Sequence, residues 1–107
     1  MKEQNQKIEE MQILEQNLQS LAYQRQAFQM ELSETQASKT EIEQAKEDVF
    51  KIIGQLMIKS DQKKVLDDLS NKEKLLELRI KSIEKQENSF SENLEVLKEE
   101  VLGKREE

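Results

Sequence analysis

One dense apolar run, VFKIIGQLMIK from Val49 to Lys59, lies between two long polar segments with sparse leucine-type residues. Val49–Ile53 is β-branched and aromatic, and much of the answering segment LMIK has the same character. Gly54-Gln55 between them suits a two-residue turn, and glycine at its first central position favours type II′. Such a turn pairs Ile53 with Leu56, Ile52 with Met57, Lys51 with Ile58 and Phe50 with Lys59. Apolar groups then appear on both faces of the ribbon. A two-stranded hairpin is marginal in water by itself, and its open edges invite further strands. This chain has none to offer, so other chains must supply them. The alternative is a buried helical stretch continuing through 49–59; Gly54 and the abrupt density of β-branched residues weigh against it.

Residues 2–48 contain neither glycine nor proline, so nothing interrupts a helix there. Met11, Leu14, Leu18, Leu21, Phe28, Leu32 and Ile42 follow a heptad register, with Arg25, Thr35 and Lys39 at the remaining seam positions. Ile8, Ile13, Tyr23 and Met30 lie off that seam. The nine glutamines scattered through Gln4–Gln36 read as a soluble helix surface. Ser60-Asp61 can cap a second helix. From Leu66 the heptad resumes through Leu69, Leu76, Ile80, Ile83, Phe90, Leu94, Leu97 and Val101, with Glu73 and Glu87 as polar interruptions. Val65 and Leu75 broaden the stripe near the hairpin. Gly103, with Lys104 and Arg105 beside it, suits a helix C-terminus. Two arms of roughly 40–47 residues would each reach about 60–70 Å. A tight hairpin forces them antiparallel, with facing residue numbers summing to about 113. The expected fold is mainly α: a long antiparallel two-helix coiled coil joined by a central β-hairpin. It is organised as one domain, with helix 1 over 1–48, the hairpin over 49–59, and helix 2 with its tail over 60–107.

Composition excludes several classes. Charged residues make up 37% and aromatics 4% of the chain, too polar for a compact core but suited to helices that bury one narrow stripe. The regular spacing of the apolar residues argues against disorder. Cysteine and histidine are absent, which removes disulfides, thiol catalysis, thiolate zinc sites and imidazole acid–base chemistry. The net charge of −6 argues against a nucleic-acid partner. Residues 1–48 carry five Lys/Arg against ten Asp/Glu, and residues 65–107 eight against twelve. The centre is mildly basic, with Lys51, Lys59, Lys63 and Lys64 against Asp61. The opening MKEQNQKIEE lacks the apolar core of a signal peptide, and no run approaches the ~20 residues of a spanning helix. A cytoplasmic protein without a membrane partner is expected.

Carboxylate pairs such as Glu9-Glu10, Asp67-Asp68 and Glu99-Glu100 point to different sides of a helix, whereas hard-metal sites need converging oxygens. No glycine-rich phosphate loop and no nucleophile with an orienting base is present. No enzyme activity, metal or cofactor is expected.

The central DVFKIIGQLMIKSDQKKVLDDL, Asp48 to Leu69, and the later LELRIKSIEKQE, Leu76 to Glu87, resemble prefoldin β subunits of the archaeal type. Ile53-Gly54 and the exit Lys59-Ser60-Asp61 carry most of that likeness, which extends over nearly the whole chain. A short proline-containing lead, frequent in the family, is missing. The resemblance implies an α2β4 hexamer, with α and other β subunits as partners. The hairpins of its subunits join into β-barrels from which coiled-coil tentacles hang. It implies an ATP-independent chaperone that holds unfolded client proteins at the tentacle tips and delivers them to a group II chaperonin. Carried onto this chain, the oligomerisation residues are Val49, Phe50, Ile52, Ile53, Leu56, Met57 and Ile58. The client-binding residues are Ile8, Met11, Ile13 and Leu14 with Val96, Leu97, Val101 and Leu102, near the frayed end where both termini meet. A structural or adaptor coiled coil without chaperone activity is the alternative. An arm excised from a larger enzyme is a further one, which the free termini at the tip argue against.

Overall fold

A computed structural model describes residues 2–103. The order of elements is α1 (Lys2–Gln44), β1 (Val49–Ile53), β2 (Leu56–Ser60) and α2 (Gln62–Leu102). Lys104 and Arg105, expected beside the last helical carbonyls, lie outside the described residues.

The two long helices follow from good helix formers uninterrupted by glycine or proline. At the end of α1 the Ala45 N–H turns back to the Ile42 carbonyl at 3.1 Å. The Gln62 side-chain amide donates to the same carbonyl at 2.6 Å. A helix end leaves such carbonyls without intrahelical donors, so Gln62 answers a need of α1 from the first residue of α2. Residues 45–48 form a short link to β1. The α2 ladder opens with the Val65 N–H on the Asp61 carbonyl at 3.0 Å.

The heptad seam governs burial. Leu21, Leu76, Ile80, Ile83 and Leu94 are the buried apolar residues, and every other seam position named above is half-buried or, for Thr35, buried. Off-seam Ile8, Ile13, Tyr23, Met30 and Leu75 are exposed. Fully burying a side chain such as Leu76 contributes about 1.5–3 kcal/mol.

The chain divides into two compact units. One comprises residues up to Ala27 and from Ile80 onward; the other is Phe28–Arg79. In the first, Lys7 meets Glu100 at 3.2 Å and Arg25 Nε meets Glu87 at 2.8 Å. In the second, Lys39 meets Glu73 at 3.6 Å, Lys72 meets Glu31 at 3.4 Å, and the Arg79 guanidinium lies 5.6 Å from the Phe28 ring centroid. Along α1 the partner falls from Glu100 to Glu87 in the first unit, and from Arg79 to the neighbouring Lys72 and Glu73 in the second, the signature of antiparallel helices. Arg25–Glu87 and Lys39–Glu73 join the very positions that interrupt the seam. Thr35, only 4% exposed, satisfies its hydroxyl on the Glu31 carbonyl one turn earlier, at 2.8 Å.

In the hairpin, β1 and β2 are antiparallel, with Ile53 opposite Leu56, Ile52 opposite Met57, Lys51 opposite Ile58, Phe50 opposite Lys59 and Val49 opposite Ser60. Gly54 has φ +62°, the only positive φ among the described residues, as a type II′ turn requires of its first central residue. No described helix is long and apolar enough to cross a membrane.

Candidate functional site

Two surfaces stand out, one in each unit. The first is the hairpin. Its sheet has two strands and therefore two open edges. A two-residue loop makes Ile53–Leu56 a hydrogen-bonded pair, and the alternation of antiparallel ladders makes Ile52–Met57 and Phe50–Lys59 the pairs that turn their backbone groups outward. Those four residues also share one face of the ribbon. Ile52 and Met57 are 69% and 68% exposed on it, beside exposed Phe50. The opposite face carries Val49, Lys51, Ile53, Leu56 and Ile58. Part of it meets the start of α2, where Ile53 and Ile58 line a 290 Å³ recess with Val65 and Lys51 reaches Asp68 at 3.9 Å. Of the seven residues expected to serve assembly, six are exposed and Val49 is half-buried. Apolar side chains on both faces and unpaired backbone on both edges leave this ribbon open to added strands.

The second surface lies in the other unit. An open cleft of 460 Å³ is lined by Glu10, Ile13 and Leu14 from α1 and by Asn93, Val96 and Leu97 from α2. Both trios follow the i, i+3, i+4 spacing that places residues on one helical stripe. Ile13 and Val96, off the strict seam, stand 57% and 52% exposed, and half-buried Leu14 and Leu97 form the floor. The structure thus brings together four of the eight residues expected at a client site. Met11 and Val101 are half-buried outside the lining, and Ile8 and Leu102 are exposed outside it. Glu10 and Asn93 escaped the sequence reading, which sought apolar residues alone; their spacing from Ile13 and Val96 carried the signal. Such a cleft can shelter apolar side chains, and its wide mouth suits varied shapes. Among the described residues no cluster of carboxylates is arranged to hold a metal ion.

The class defined by this hairpin between paired long helices is confirmed by comparison. Residues 5–105 match the family described as prefoldin subunit, and the chain belongs to that family. Within it, the chain is similar to the β subunits. It is 35% identical over 89 residues to prefoldin subunit beta of Thermococcus onnurineus, covering 81% of this chain and 77% of that protein. Identity to prefoldin subunit beta of Pyrobaculum calidifontis is 36% over 86 residues, covering 78% and 69%. The crystal structure of the prefoldin β subunit from Thermococcus strain KS-1 superposes with a TM-score of 0.89 at 28% identity, covering 94% of this chain and 90% of that one. The family is one of chaperone subunits rather than enzymes, and its members assemble with other prefoldin subunits.

Proposed function

We propose that this chain is a holdase subunit that captures unfolded polypeptides without ATP and passes them to a group II chaperonin in the cytoplasm. The hairpins of an α2β4 hexamer join into barrels, with Val49, Phe50, Ile52, Ile53, Leu56, Met57 and Ile58 at the contacts. Clients are held by Ile8, Met11, Ile13, Leu14, Val96, Leu97, Val101 and Leu102. The observation that carries capture is the apolar cleft between Ile13, Leu14, Val96 and Leu97. Unfolded chains expose apolar side chains that folded proteins bury, so a solvated apolar cleft discriminates by folding state rather than by sequence. Aliphatic side chains that interlock by shape alone bind weakly, which suits reversible release. Flexible Met11 nearby adapts to different client shapes. The absence of a phosphate-binding glycine loop supports a mechanism without nucleotide.

The test uses Ile13→Ser with Val96→Ser in the assembled complex. Both side chains are more than half exposed, so helical content and complex mass should be unchanged. Suppression of aggregation of a chemically unfolded client should drop several-fold. Full suppression by the double variant would remove the cleft from client capture.

A further inference from the structure

We infer that the cleft selects apolar client segments flanked by lysine or arginine. This rests on the capture reading above and adds a charge preference to it. The cleft has an acidic border. Glu10 lines it directly. Glu9 stands one helical turn before Ile13, Glu92 one turn before Val96, and Glu99 nearly one turn after Val96. None of these four carboxylates enters the six ion pairs found among the described residues. Glu100 is held by Lys7 at 3.2 Å, which neutralises the one basic side chain on the α1 stripe beside the cleft. Residues 5–20 carry Glu9, Glu10 and Glu15 against Lys7, and residues 88–102 carry Glu92, Glu95, Glu99 and Glu100 against Lys98.

A bound segment that places leucine or isoleucine between Ile13 and Val96 brings its flanking residues over this border. Lysine or arginine there meets unpaired carboxylates, and aspartate or glutamate meets like charge. Each exposed pair is weak and screened by salt, but several act together on one segment. The arrangement distinguishes two equally apolar segments by what surrounds them, through attraction for one and repulsion for the other.

The experiment measures fluorescence anisotropy of labelled peptides on the assembled complex. The peptides share one leucine- and isoleucine-rich core, flanked by lysine, by serine or by glutamate. At low salt the lysine-flanked peptide should bind about tenfold tighter than the glutamate-flanked one, and the gap should close near ~0.5 M salt, where the screening length is a few ångströms. Glu10→Gln with Glu99→Gln should narrow the gap between the lysine- and glutamate-flanked peptides. Equal affinities for all three peptides, lost together in Ile13→Ser/Val96→Ser, would overturn the charge preference and leave capture standing. No binding of any peptide, with aggregation suppression unaffected by that double variant, would overturn both. Folded lysozyme, a compact basic protein, is the last probe. Binding as tight as that of the lysine-flanked peptide would show a general cation surface and refute selection of apolar segments.

Discussion

Arg25 and Glu87 occupy seam positions where two apolar side chains would ordinarily meet. Their Nε–Oε1 distance of 2.8 Å is that of a charge-assisted hydrogen bond, and the side chains are 29% and 18% exposed. An ion pair so placed gives little net stability over an apolar pair, yet removing one partner strands the other in a poorly hydrated seam. Arg25→Met alone should therefore destabilise the protein by about 1–2 kcal/mol in denaturant unfolding. Arg25→Met with Glu87→Met should recover most of that loss, giving a clear non-additive term in the double-mutant cycle. Strict additivity would mean that the two groups do not depend on one another. Lys39 and Glu73 repeat the arrangement at 3.6 Å. Heptad counting marks all four as interruptions, and the antiparallel numbering places each opposite its mate. Their pairing was nevertheless left unread, because it needs the helix register to within one residue.

The hairpin is the element most openly written in the sequence. Strand period, β-branched composition and the position of one glycine define its register, and each of the four predicted pairs is present. Gly54 holds φ +62° with nothing within 4 Å of where a Cβ would stand. The cost of a side chain there is backbone strain rather than collision. Gly54→Val should lower stability by about 1–2 kcal/mol, whereas Gly54→Asn, better suited to this region, should cost less. Chemical denaturation of both variants checks the ordering; equal losses would point to a steric cause. The helices were legible as elements but not in every detail. Nothing in the sequence punctuates α1 at Gln44, and the Gln62 amide that covers the Ile42 carbonyl comes from 20 residues away. The cleft was legible only in part for a similar reason. Hydropathy selects Ile13, Leu14, Val96 and Leu97, whereas Glu10 and Asn93 join them through side-chain direction on two facing helices.

For the whole molecule, the exposed ribbon is the surface that the proposed assembly would cover. Ile52, at 69% exposure, sits on the face and edge that added strands would cover. Ile52→Asp should leave the far-ultraviolet helical signal intact, since that side chain is largely exposed. In the presence of α-type subunits it should yield species smaller by light scattering than the unsubstituted chain forms with them. An assembly mass equal to that of the unsubstituted chain would remove Ile52 from the assembly contact. The paired charges within the helices bear on heat. The free energy of hydrating an ion becomes less favourable as temperature rises, so the penalty for setting Arg25, Glu87, Lys39 and Glu73 into a seam shrinks on warming. Such pairs cost less in hot water than in cool water. The correct alignment of α1 on α2 is then enforced most strongly at the temperatures where folded proteins in general are most prone to unfold.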